Sequence, residues 1–382
     1  MDMKSMFNKQ VLAAAMMTAA LAASPAMAKV DPAEAAKLGG NELTVVGSEK
    51  AGNAAGTIPA WDGSLKTPPA CYTGGEFLCN PYADEKPQFV ITAQNMDQYK
   101  ANLTPGQIAM FQKYPQSYRM PVYQSRRNVN WPDYIADLTK KNAVETDTVG
   151  ATGLKGLNLQ GYPFPIPKNG LEVVWNHIGR FRGDGLERTI GQATPQANGA
   201  YSMVMFKDEF ALRNKLTDID PGEEENVMFF FKQQVVAPAR LAGNVLLVHE
   251  TIDQVKEPRR AWVYNAGQRR VRRAPQVAYD GPGTAADGMR TSDNFDLYNG
   301  APDRYDWTLV GKKEVYIPYN SYKLDEKGLK YDDMIKPGHI NQDFARYELH
   351  RVWVVEAKLK PGTRHIYAQR NFFIDEDSWI AS

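Results

Sequence analysis

Residues 242–275 constrain the fold more than any other stretch of this chain. The run Val245-Leu246-Leu247-Val248-His249-Glu250-Thr251 is apolar and β-branched enough to predict a strand. After it, residues 260–264 and 269–273 flank Asn265-Ala266-Gly267-Gln268, a short loop suited to a hairpin. A meander of antiparallel strands follows from that spacing. Closed symmetrically about Ala266-Gly267, the hairpin would set Trp262 against Val271 and Arg260 against Arg273, all on one face. Two like charges directly across a ladder need an acid, water or an anionic ligand between them, so the pattern predicts a curved sheet whose aromatic inner face is rimmed by arginines.

The same texture continues on both sides. Strands are predicted over 201–206, 227–236, 313–319, 346–358 and 364–374, separated by turns such as Asp218-Ile219-Asp220-Pro221-Gly222 and Lys360-Pro361-Gly362-Thr363. The first half differs. Asp31-Pro32 predicts a short helix stopped at Gly39-Gly40, and Thr104-Pro105-Gly106-Gln107 predicts another running to Tyr114. Trp131-Pro132-Asp133 predicts a third helix to Lys141 with Tyr134, Ile135 and Leu138 inward; residues 171–180 form a fourth with Leu171, Val174 and Ile178 on one side. Residues 50–69 are irregular and must wrap over the body of the protein, and the Gly- and Pro-rich residues 150–167 act as a crossing segment. The expected class is α+β, one antiparallel sheet covered by helices. The division is residues 1–28 as a signal peptide, 29–170 as a helical and irregular segment, and 171–382 as the sheet, forming one domain with the segment before it.

Composition narrows the setting. Residues 1–28 carry Lys4 and Lys9, an apolar run over 11–23 too short to span a bilayer, and Ala26-Met27-Ala28, which predicts cleavage before Lys29 and export to the periplasm. Removing Lys4, Lys9 and Asp2 from 45 basic and 44 acidic residues leaves 43 of each, a balance that favours neither nucleic acid nor an anionic membrane as a general partner. No later stretch approaches the ~18–20 apolar residues of a transmembrane helix. Cys71 and Cys79 bracket Gly74-Gly75, and an even pair in an exported chain predicts a structural disulfide.

Catalytic signatures are missing. His177, His249, His339, His350 and His365 lack metal-ligand spacing, no Gly-x-Ser-x-Gly occurs, and residues 153–161 form neither a P-loop nor a dinucleotide fingerprint. The acidic turns over 218–225 and 375–377 do not match a calcium loop. No enzyme activity, no metal and no cofactor are therefore expected.

The runs Val174-Trp175-Asn176-His177-Ile178-Gly179-Arg180-Phe181-Arg182-Gly183, Arg260-Ala261-Trp262-Val263-Tyr264, Asp287-Gly288-Met289-Arg290, Asp303-Arg304-Tyr305-Asp306-Trp307 and Arg370-Asn371-Phe372-Phe373-Ile374-Asp375-Glu376-Asp377-Ser378-Trp379 resemble an exported proteobacterial family, domain-of-unknown-function family 1329. That family looks like a divergent relative of the periplasmic lipoprotein-carrier (Lol) superfamily. The resemblance implies a half-barrel enclosing an apolar cavity under helices, a carrier of acyl chains or other lipid, and an envelope transporter of the resistance-nodulation-division type as partner. Family members continue for several strands beyond the Asp-Ser-Trp run, so a chain stopping at Ser382 is expected to leave residues 364–374 as a bare edge. Phe229, Phe231, Trp262, Tyr264, Trp307, Tyr316 and Trp353 are the expected cavity residues, and Arg260 and Arg273 the expected head-group residues. The alternative is an envelope adaptor whose aromatic face is a filled core and which docks onto such an exporter.

Overall fold

The computed structural model describes residues 29–382 except residues 64, 76, 221–223, 255 and 275–279. The expected signal peptide and the Pro221-Gly222 step of the acidic turn lie outside the described residues. No described helix is long and apolar enough to cross a membrane.

Asp31 caps α1 (Pro32–Ala35), its carboxylate accepting from the Ala33 N–H. Residues 50–69 contain no helix or strand among those described, and the Cys71–Cys79 disulfide closes the loop that follows. After β1 (Phe89–Ile91) comes α2 (Pro105–Lys113), where Thr104 accepts from the Gln107 N–H and the Gln107 side chain accepts from the Thr104 N–H. That reciprocal cap is the expected one. Strand β2 (Met120–Val122) leads to α3 (Asp133–Glu145), on which Ile135 is buried while Tyr134 is exposed and donates to Asp184. Of the adjacent pair expected inward, only Ile135 is, because Tyr134 turns its hydroxyl out to Asp184. The crossing segment starts with a small hairpin of β3 (Asp147–Val149) and β4 (Gly153–Lys155).

Helix α4 (Gly170–Gly179) is the centre of the packing. Asn169 caps it by accepting from the Glu172 N–H, and the helix is buried almost all round, as an apolar helix must be. Gly170 allows the close approach to Trp307 and Thr308, whose backbone a side chain there would crowd.

The rest is strands. β5 (Gly185–Pro195), β6 (Tyr201–Leu212), β7 (Val227–Ala237), β8 (Val245–Thr251), β9 (Arg260–Asn265) and β10 (Arg270–Arg273) pair in chain order as a six-stranded antiparallel meander. β11 (Tyr305–Pro318), β12 (Tyr347–Leu359) and β13 (Gln369–Asp375) join β1 and β2 in a separate five-stranded sheet, with the single turn of α5 (Tyr331–Met334) on the way from β11 to β12. Its pairing is antiparallel apart from one parallel contact, Tyr347 with Val122. The protein is thus α+β and mostly strand, with antiparallel sheets that do not close into a barrel, but the single sheet expected is two large sheets beside the small β3–β4 hairpin.

The main core lies between them. Val174, Trp175 and Ile178 of α4 join Leu212, Met228 and Phe229 from the meander and Tyr305, Val355, Phe372 and Trp379 from the five-stranded sheet. A second cluster, with Ile91, Phe111, Met120, Tyr316 and Tyr347, fills the space between α2 and the same five-stranded sheet. The expected bare edge on the last strand is partly covered. Residues 380–382 turn back along β13, bridging Ala381 to Ile374 and carrying the Ser382 N–H to the Phe373 carbonyl at 2.8 Å.

Gly47 offers a sharp test of the wrap's seating. It sits at φ 90°, and a side chain there would run into the Pro165 carbonyl oxygen. Gly47→Ala is expected to lower stability by about 3 kcal/mol, whereas Gly56→Ala, at φ 70° in open space, should cost about 1 kcal/mol. Urea-unfolding midpoints compare the two; equal losses would contradict the close contact.

Candidate ligand-binding site

One face of the meander is laid out in rows across the strands. Leu186, Phe210, Phe231 and Val248 face one another in sequence from β5 to β8, and beside them run Arg188, Asp208, Gln233 and Leu246. Phe229 lies opposite Glu250 in the next row. These side chains floor a cavity of about 520 Å³. Its other walls are Arg180, Phe181 and Arg182, which follow α4, then Arg259, residues 283–299 in part, and Ile380. Among the described residues the cover over the cavity comes from the irregular connection between β10 and β11, whereas α4 packs on β11 and β12 and touches only the Leu212, Met228 and Phe229 end of the meander. A volume near 500 Å³, with an aromatic and aliphatic floor and as many charged and polar groups converging on it, is of the size of a site for one small ligand.

Aromatic contacts set the apolar part. The Phe210 and Phe229 rings lie 4.9 Å apart, and Phe231 lies 5.5 Å from Phe295, which belongs to the cover. The polar part is built from ion pairs. Asp208, 1% exposed, accepts from Gln233 at 3.0 Å and from Arg188 at 3.3 Å. Glu250 pairs with Arg259 at 2.5 Å. Asp296 takes Arg180 at 2.6 Å and Arg182 at 2.9 Å. Burial opposes ionisation of Asp296, yet Arg182 and Arg180 hold its carboxyl below the usual carboxylate range. Both arginines also donate to the His177 carbonyl, and Arg182 to that of Ile178, so they cap the carbonyl end of α4. Burial, and then Arg180 beside it, brings Arg182 down to about 10.

His177 backs this corner from inside the core. Its Nε2 donates to the Asp296 carbonyl at 2.9 Å and its Nδ1 accepts from the Ala381 N–H at 3.1 Å, an arrangement for a neutral ring. Burial, with Arg180 adding to it, pushes it down to about 4 from 6.5. The unfolded chain takes up this proton as pH falls below about 6.5 and the native chain only near 4, so stability is lost over that window, by about 3 kcal/mol. His177→Gln should flatten unfolding midpoints between those pH values; an unchanged slope would contradict a neutral buried ring.

The expected site residues are distributed unevenly. Phe229 and Phe231 line the cavity. Trp262 and Tyr264 are on the opposite face of the meander with Leu247, His249 and Val271, because Trp262 pairs with Leu247 while Val248, the neighbour of Leu247, points inward. The hairpin register also differs from symmetric closure. Arg269 takes φ 50°, so Trp262 faces Arg273 and Tyr264 faces Val271. Arg260 stands opposite His249 rather than Arg273, and its charge is met by Glu224 and Glu257. Arg273 is exposed. Trp307, Tyr316 and Trp353 belong to the five-stranded sheet: Trp307 donates to the Pro302 carbonyl at 2.8 Å, Tyr316 packs in the second core cluster, and Trp353 stacks on Trp379 at 6.1 Å. None of these three lines the cavity. The cavity's arginines escaped the sequence reading, although Arg180, Arg182 and Arg290 stand in two of the runs that carry the family resemblance.

One other polar cluster is large. His350, Asp375 and Asp377 approach within 4.8 Å of one another, all buried. Arg127 occupies both oxygens of Asp377, at 2.7 and 2.9 Å, and His350 meets Glu348 at 3.2 Å, so the cluster is an ion-pair network.

The profile of one protein family, described as "Protein of unknown function (DUF1329)", matches residues 90–382. The chain belongs to the DUF1329 family. A relative within reach of sequence comparison, "Uncharacterized protein PA3922" of Pseudomonas aeruginosa, is 61% identical over 376 residues, covering 98% of this chain and 82% of the relative. Two solved structures overlap weakly with this DUF1329 chain. A DUF1329 family protein from Desulfovibrio piger shares 13% identity at a TM-score of 0.33, over 52% of this chain and 62% of that one. A putative outer membrane lipoprotein-sorting protein domain from Vibrio parahaemolyticus shares 13% identity at a TM-score of 0.34, over 56% and 68%. Nothing about the site follows from overlaps so slight.

Proposed function

We propose that this DUF1329 protein is a periplasmic carrier that shelters one lipid-like molecule in the cavity on the inner face of the meander. The observation that supports this is the cavity itself: about 520 Å³ that Phe181, Phe210, Phe229, Phe231, Val248 and Phe295 surround without filling. A pocket of this size that is aromatic on its floor and charged around it suits an amphipathic ligand. Burying an acyl chain there at ~25 cal/mol per Å² would hold it without a covalent bond and still allow hand-over. The half-barrel curvature and the partnership with an envelope exporter belong to the same reading. A polarity-sensitive fluorescent fatty acid should bind saturably, one per chain, with blue-shifted emission; an absence of saturable binding would remove the proposal.

An adaptor that docks to an envelope exporter is the second reading. It is favoured by the outer face of β8–β10, where Trp262, Tyr264 and Val271 surround a shallow groove next to the exposed strand Arg270–Arg273. Trp262→Ala should abolish crosslinking to a partner in an adaptor and leave fatty-acid binding intact in a carrier.

A further inference from the structure

Among the cavity-lining side chains, five arginines (Arg180, Arg182, Arg188, Arg259 and Arg290) meet three carboxylates (Asp208, Glu250 and Asp296), a formal excess of two positive charges. Each carboxylate is engaged. Asp296 holds Arg180 and Arg182, Asp208 holds Arg188, and Glu250 holds Arg259. Arg290 is the one left over. It makes no ion pair among the described residues; its Nε and Nη2 both donate to the same amide oxygen, that of Gln192, at 3.3 and 3.0 Å. The guanidinium is nevertheless held in place, 5.8 Å from the Phe295 ring centre and against Gly283, where any side chain would collide with it.

The cavity wall is also laid out in rows. Along β5, Leu186 belongs to the row with Phe210, Phe231 and Val248; Arg188 belongs to the row with Asp208 and Gln233; and Gln192, which anchors Arg290, lies further on. The apolar row is thus bounded on one side by Arg188 and, beyond it, Arg290, and on the other by Glu250 with its partner Arg259; among these only Arg290 has no ion-pair partner among the described residues. A partly buried guanidinium without a counter-charge is costly, and its planar donors match carboxylate or phosphate oxygens.

We infer that the ligand is a single-chain amphiphile with an anionic head group, its chain along Phe210, Phe231 and Val248 and its head group bound by Arg290. This rests on the carrier reading and goes further, because it states which end of the molecule is charged and which residue reads the charge.

The test is displacement of the fluorescent fatty acid by four ligands of equal chain length: palmitate, hexadecyl phosphate, hexadecanol and hexadecyltrimethylammonium. Both anions should bind about tenfold or more tighter than the alcohol, with the cation weakest, as one charge-assisted contact requires. The phosphate and carboxylate arms separate the two possible head groups. Arg290→Gln should erase the preference for anions over the alcohol, and Arg290→Lys should restore part of it. Equal binding of anion and alcohol by the native chain would overturn the inference and leave the carrier reading standing. A preference that survives Arg290→Gln would overturn the assignment of the head group to Arg290, and failure of all four to bind would overturn both readings.

Discussion

Arg127→Met is expected to destabilise the protein by about 3–5 kcal/mol, the cost of removing one member of a buried ion pair and leaving the other charge without its partner. The Arg127 side chain is 2% exposed, as is that of Asp377. Its Nε and Nη2 bind both oxygens of Asp377, and Nη2 also donates to the Glu49 carbonyl at 2.6 Å. One side chain therefore fastens the irregular wrap to the turn after β13. The network extends well beyond the pair: Arg351 and Lys312 hold Glu376, Lys312 also holds Glu49, and Arg346 and His350 hold Glu348. Arg127→Lys should also lose stability, because an ammonium cannot reproduce the paired contacts of a guanidinium. Replacing both partners with apolar residues of similar size, as in Arg127→Met with Asp377→Leu, should recover much of the loss. Urea unfolding of the three variants reads these differences; a loss below 1 kcal/mol in Arg127→Met would mean that the wrap is not held here.

The second large effect is on binding. Leu246 lies on β8 opposite Gln233 and lines the cavity, so Leu246→Trp should fill part of the hollow without disturbing the main core, to which it does not belong. Affinity for the fluorescent fatty acid should fall by tenfold or more, about 1.4 kcal/mol or greater, while the unfolding midpoint stays close to that of the native chain. A matched Leu247→Trp change, one residue along and on the outer face, should leave binding unaltered. Equal effects from both would indicate that the ligand does not occupy this side of the sheet.

Much of the second half of the fold was legible in the amino-acid pattern, because residues such as Val245 to Thr251 are β-branched and apolar and strand geometry follows from that directly. The caps at Asp31 and Thr104 are local chemistry as well. What escaped was non-local or featureless. Strand β5, Gly185–Pro195, is exposed over most of its length and has no apolar alternation to mark it. Strand β11 begins at Tyr305, and the register slip between Leu309 and Gly311 breaks the alternation that would have marked its first half. The meander and the second sheet separate because β10 and β11 do not pair, and β1 and β2 join the second sheet only through β2 meeting β12 across more than two hundred residues, which no local pattern encodes. For the site, period-two alternation placed Phe229 and Phe231 together, but it does not say which face of β9 is inward. Trp262 and Tyr264 fell on the outer side for that reason, and four of the cavity's five arginines, Arg188 on β5 being the exception, come from connections, where no periodicity applies.

Native mass spectrometry of the protein purified without detergent bears most directly on the cavity's role. The carrier account predicts a chain carrying one small amphiphile per molecule, or taking up one from added palmitate, and Leu246→Trp showing the bare mass under the same conditions. A native chain that stays bare in saturating palmitate, or a Leu246→Trp variant that loads as fully as the native chain, would contradict it.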